Sequence, residues 1–114
     1  MNIQIYGTAK SFDTKKAQRF FKERGIKFQF VDLARFGISK GEFRSVRTAL
    51  KCSAEALIDE NAKAQEVTLI KYLASEEAKE EKLLENQKLL KMPIVRNGKQ
   101  ATVGYCPEIW KTWE

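Results

Sequence analysis

Histidine is absent from this 114-residue chain, and cysteine and proline occur only twice each. Without histidine there is neither the usual general base near neutral pH nor the commonest zinc ligand. Cys52 and Cys106 lie too far apart to form a ligand cluster, so neither a metal nor a bound cofactor is expected. Long apolar runs are missing too: none approaches the ~20 residues of a membrane-spanning helix. The opening Met1-Asn2-Ile3-Gln4-Ile5-Tyr6 lacks the basic-then-apolar order of a secretory signal. The expectation is a cytoplasmic protein with reduced thiols and no membrane partner. With no repeat and no linker in view, residues 1–114 read as one domain.

What is present is a foldable balance of 43% hydrophobic and 32% charged residues, with a net charge of +6. That charge is uneven. Residues 1–51 hold 12 Lys/Arg against 4 Asp/Glu, whereas residues 52–114 hold 9 against 11. A basic half suits an anionic partner, whether nucleic acid, an acidic protein surface or a small oxyanion. For any single lysine a merely solvated position is the default.

The hydrophobic pattern orders the chain. Ile3 to Tyr6 alternates and stops at Gly7, as a first strand does. Thr14 to Arg24, with Ala17, Phe20 and Phe21 at helical spacing, reads as a helix ended by Gly25. Lys27 to Asp32 is a second strand, and strand-helix-strand implies parallel pairing through a right-handed crossover. Ser39-Lys40-Gly41-Glu42 fits a capping box and opens a helix to about Leu50, with Phe43, Val46 and Leu50 facing the core. Further helices are expected around Glu66 to Leu73 and from Ser75 through the acid-rich run to Glu85. Pro93 to Arg96 and Gln100 to Val103 form a hairpin around Asn97-Gly98. Pro107 starts a last helix with Ile109, Trp110 and Trp113 on its core face. This order predicts an α/β, thioredoxin-like fold, βαβ…ββα, with a helical insertion between the second and third strands.

Two segments carry a family likeness. Ile5-Tyr6-Gly7-Thr8-Ala9-Lys10-Ser11-Phe12-Asp13-Thr14-Lys15-Lys16-Ala17 resembles the opening strand, active-site loop and helix start of the arsenate reductase-like (ArsC/Spx-like) thioredoxin-fold family. Pro93 to Lys99, followed by Thr102-Val103-Gly104-Tyr105 and Pro107-Glu108, is similar to its C-terminal hairpin. The resemblance spans essentially the whole chain. It implies thiol-based reduction of an oxyanion or disulfide, with glutathione as co-substrate.

In that family a cysteine stands where this chain has Ser11, just before the first helix. Unpaired amides and the helix dipole there stabilise a thiolate and can cradle an oxyanion, and Lys10 adds positive charge. A serine hydroxyl gains far less from the same field, because its pKa is much too high. The chain as it stands is therefore expected to be inactive in this chemistry, with Ser11 or Asp13 serving as a helix cap. Thr14, at the other end of the loop, supplies no second thiol. Phe12, Asp13 and Lys15 are the candidate substrate or anion contacts of the helix start, with Pro93 and Arg96 on the hairpin; for Arg96 a solvated strand position is an equal alternative. Pro93 resembles the family's cis-proline. Met92 departs from the arginine that similar arsenate reductases usually carry there, and so removes a bidentate oxyanion clamp.

Cys106 is a candidate resolving thiol, because strand four should return to the Ser11 end; the plainer reading is a half-buried loop cysteine. Lys40, Arg44, Arg47 and Lys51 fall on one face of the second helix. A solvated face is the default, with an acidic protein partner as the alternative. That alternative fits the Spx-like branch, whose members bind RNA polymerase. Without interleaved aromatics, direct contact with nucleic acid is not expected.

Overall fold

The alternation of the first strand decides the layering. In the computed structural model, which describes residues 1–59, 61–62 and 65–113, β1 (Ile3–Gly7) sends Ile3 and Ile5 to one side and Tyr6 to the other. It is a central strand of a four-stranded sheet in the order β2-β1-β3-β4, formed with β2 (Phe28–Asp32), β3 (Ile94–Asn97) and β4 (Gln100–Val103). β1 and β2 run parallel with Ile3 opposite Phe28. β3 lies antiparallel to β1, with Ile3 opposite Asn97, and to β4. The crossover between β1 and β2 is helix α1 (Phe12–Glu23), which buries Ala17, Phe20 and Phe21. Together with Ile3, Ile5, Val95 and Trp110 they form one core layer. The Trp110 indole N–H is satisfied by the Thr102 hydroxyl at 2.8 Å, as a buried indole requires.

The opposite layer holds the helices between β2 and β3: α2 (Lys40–Leu50), α3 (Gln65–Lys71) and α4 (Glu76–Glu85). Tyr6, Phe43, Val46, Leu57, Leu83 and Ile94 lie in its core. The capping box is present as read: Glu42 N–H donates to Ser39 Oγ at 3.2 Å and Ser39 N–H to Glu42 Oε1 at 3.0 Å. Among the described residues, no helix is long and apolar enough to cross a membrane.

Two expectations need correction. The first helix starts at Phe12 rather than Thr14, because Ser11 caps it. The last helix, α5, is only Pro107–Trp110 before a tighter turn at Lys111–Trp113. Such a short helix buries one side chain fully, Trp110, and leaves Ile109 48% exposed.

Candidate functional site

The loop from Thr8 to Ser11 joins the end of β1 to the start of α1 and is closed by its own main chain. Ser11 N–H donates to the Thr8 carbonyl at 3.1 Å, and Lys15 N–H donates to the Ser11 carbonyl at 3.1 Å. Ser11 Oγ accepts from Thr14 N–H at 3.2 Å. The hydroxyl is therefore a helix cap, satisfying one of the free amides of the first turn. It also borders a cleft of about 620 Å³. Thr8, Lys10, Phe12 and Asp13 line the cleft beside Ser11, as do Met92, Val103 and Gly104 of the C-terminal hairpin.

The hairpin reaches the cleft because β3 begins and β4 ends at this end of the sheet, with Ile94 opposite Val103. Pro93 is buried, its peptide bond with Met92 is cis, and its carbonyl accepts from Gly104 N–H at 2.8 Å. Thr8 Oγ1 reaches Met92 Sδ at 3.6 Å across the cleft. Positive φ at Gly104, +85°, allows the chain to turn here. The segment before β3 and the loop before α3 supply further lining, Lys88 and Lys91 as cations, Asp59 as a carboxylate and Asn61 as an amide. Phe12 is 77% exposed at the rim, with the Lys15 ammonium 5.7 Å from its ring centre. Lys15 thus covers Phe12 from outside and is not part of the cleft lining.

Three further site expectations change with the geometry. Thr14 is fully buried between α1 and β1, packed over Gly7 and away from the cleft lining. Arg96 lies towards the far end of β3, opposite Gln4. There it donates to Gln4 Oε1 at 3.1 Å and the Tyr6 hydroxyl at 3.2 Å, and pairs with Glu42 at 3.5 Å. It ties the sheet to α2 and does not line the cleft. Cys106 joins the layer of Ile3 and Trp110, and its thiol donates to the Val103 carbonyl at 3.3 Å. Burial pushes that thiol's pKa up, the opposite of activation. Cys52 is also half-buried and raised by burial, opposed by the Arg47 and Lys91 charges.

The basic face of α2 is likewise less open than its spacing implied. Buried Glu80 of α4 takes Arg44 at 3.0 Å and Arg47 at 3.0 Å, and Glu76 takes Arg47 at 3.4 Å. Lys40 and Lys51 remain exposed at its ends.

Sequence reasoning missed Thr8, Asp59, Asn61, Lys88 and Lys91 as cleft residues. Thr8 sat inside the segment that carried the family likeness and could have been taken from it. The others come from the irregular middle of the chain, where no periodicity marks a facing direction.

Compared with known proteins, the chain matches the ArsC family over residues 6–113. A candidate arsenate reductase from Yersinia pestis is similar in structure at a TM-score of 0.84 and 19% identity, covering 96% of this chain and 98% of that one. A candidate ArsC family related protein from Bacteroides fragilis superposes at 0.83 with 17% identity over 100% of both chains. An arsenate reductase from Vibrio cholerae superposes at 0.82 with 23% identity, covering 96% of this chain and 94% of its own. At these identities what is shared is the thioredoxin-like fold. No curated protein matches the chain in sequence.

Proposed function

The chain belongs to the ArsC family, and we propose that it is an arsenate reductase-like protein whose cleft takes a small oxyanion or a thiol such as glutathione without performing thiol chemistry. The observation that carries this reading is Ser11. It caps α1 at the edge of the cleft, where the resembling family keeps its cysteine, and no cysteine lines the cleft among the described residues. A helix N-terminus and neighbouring cations can hold an anion whichever residue stands there. Only a thiolate can attack it and then pass through a mixed disulfide. Lys10 and Lys88 are cations on the cleft wall. Met92 supplies no guanidinium, which favours a weakly held ligand over a clamped arsenate.

A regulatory protein that binds RNA polymerase is the rival reading. It rested on the basic face of α2, and the pairing of Arg44 and Arg47 with Glu80 leaves that face little support.

The test is a coupled assay of glutathione-dependent arsenate reduction together with amide titration by phosphate and glutathione. The expected result is no turnover above background, with perturbation of the amides from Phe12 to Lys15. Turnover by the unaltered protein, or perturbations confined to other regions, would overturn the reading.

A further inference from the structure

Three cations around the far end of α1, Arg19, Lys22 and Lys27, are exposed and have no ion-pair partner among the described residues. All three line a groove of about 1100 Å³ between the end of α1 and the start of β2. Ile26 and Phe28 add half-buried apolar surface to it, and Glu23 is its one carboxylate among the described residues.

This groove adjoins a sheet edge. β2 is the outermost strand, with no neighbour on its far side among the described residues. Leu33 N–H donates to the Gly7 carbonyl at 2.8 Å. In a parallel ladder, alternate residues turn both main-chain groups to the same neighbour. Gln29 and Val31 therefore face β1 with Leu33, and Phe28 and Phe30 point their N–H and C=O groups outward. Such a row is a template for an added strand.

The chemistry selects the occupant. A nucleic acid has no alternating N–H and C=O groups to match the edge. A second copy of this chain pairing through β2 would place two sets of Arg19, Lys22 and Lys27 on one joint surface, where like charges repel. An extended peptide rich in aspartate or glutamate matches both the edge and the cations.

We propose that an acidic, extended segment of a partner protein adds to the outer edge of β2. Its backbone pairs with Phe28 and Phe30, and its carboxylates lie against Arg19, Lys22 and Lys27. This surface is separate from the Ser11 cleft and does not depend on the chemistry there.

The probe is a fluorescein-labelled peptide alternating glutamate and valine. Two comparison peptides carry glutamine in place of glutamate, or N-methyl groups on alternate residues. The unmodified acidic peptide should bind, bind more weakly as salt rises, and shift the amide resonances of Phe28 and Phe30. The double variant Lys22→Glu, Lys27→Glu should lose about ten-fold or more in affinity. A control of equal charge change, Lys71→Glu with Lys99→Glu, should lose little, and thermal melts of both variants check that each still folds. N-methylation should abolish binding with the protein untouched. The proposal is overturned if no peptide binds, if both double variants weaken binding alike, or if the N-methylated peptide binds as well as its parent. Competition by a single-stranded oligonucleotide at tighter affinity would assign the groove to nucleic acid instead. A concentration-dependent dimer with the Phe28 and Phe30 amides protected would assign the edge to a second copy.

Discussion

The side chain of Thr14 fills the space over Gly7 that a β-carbon at Gly7 would have to enter, with Thr14 Oγ1 and Cγ2 its nearest atoms. The two residues lock the first turn of α1 onto the end of β1, and so fix where Ser11 stands. Gly7→Ala should therefore destabilise the protein by about 1–3 kcal/mol, the usual cost of overpacking. Adding Thr14→Ala should recover part of that loss. Denaturant melts of the two single variants and the double variant measure the coupling, and strictly additive effects would contradict it.

Thr14 Oγ1 is buried without a hydrogen-bond partner among the described residues. Thr14→Val keeps the shape and removes the unsatisfied hydroxyl, so it should raise stability by about 1 kcal/mol. A loss measured in the same melts would mean that the hydroxyl has a partner in solution.

Ser11→Cys should create a thiol held at the N-terminus of α1, with a pKa below the ~8.5 of a free cysteine. Absorbance of the thiolate as a function of pH reads this directly. A value at or above that of free cysteine would remove Ser11 from the active-site position.

The same variant tests Cys106. With its thiol turned to the Val103 carbonyl and packed in the layer of Trp110, Cys106 should not resolve a mixed disulfide. Oxidised Ser11→Cys protein should then stay glutathionylated equally with and without Cys106→Ser, as mass spectrometry would record. An internal bond lost on Cys106→Ser would reverse this.

Tyr6 and Glu42 give stability a dependence on pH from both ends. Tyr6 donates to Glu42 Oε2 at 2.6 Å. Burial works against the Glu42 charge, but the Tyr6 hydroxyl and Ser39 together hold its carboxyl below the usual range. Its contribution is full above the unfolded value of 4.5 and drains away as pH falls below it. Burial, then Glu42, pushes Tyr6 from 10.0 up to about 12, so stability is also lost as pH rises through that interval. Tyr6→Phe should cost about 1–3 kcal/mol near neutrality and flatten both limbs of a stability-pH curve. Unchanged limbs would mean that the bond does not form in solution.

The sequence carried the fold wherever a local rule was sufficient. Alternation in Ile3 to Tyr6, the Ser39–Glu42 box and the turn at Asn97-Gly98 each depend on neighbours a few residues away, and each lies where it was read. Side chains whose fate depends on distant packing were not legible. Arg96 reads as an anion contact because it follows Pro93 closely, yet the β1–β3 register carries it to Gln4 and Glu42. Glu80 looks like one more solvated acid until α4 packs on α2 and buries it against two arginines. For the site, the position of Ser11 was legible from the family likeness, whereas Lys88 and Asp59 were not, since nothing local turns them towards it.

Two walls of the cleft come from opposite ends of the chain, Thr8, Lys10, Ser11, Phe12 and Asp13 from one and Met92, Val103 and Gly104 from the other. During synthesis, β1, α1 and β2 leave the ribosome long before β3 exists to pair with β1, so the nascent chain presents its Ser11 loop without a binding pocket. Until then β1 keeps one side open, a hydrophobic strand waiting for a partner and exposed to chaperones or to misassembly. The cleft is therefore completed late: a fragment stalled before the hairpin has the Ser11 loop and lacks the wall of Met92, Val103 and Gly104.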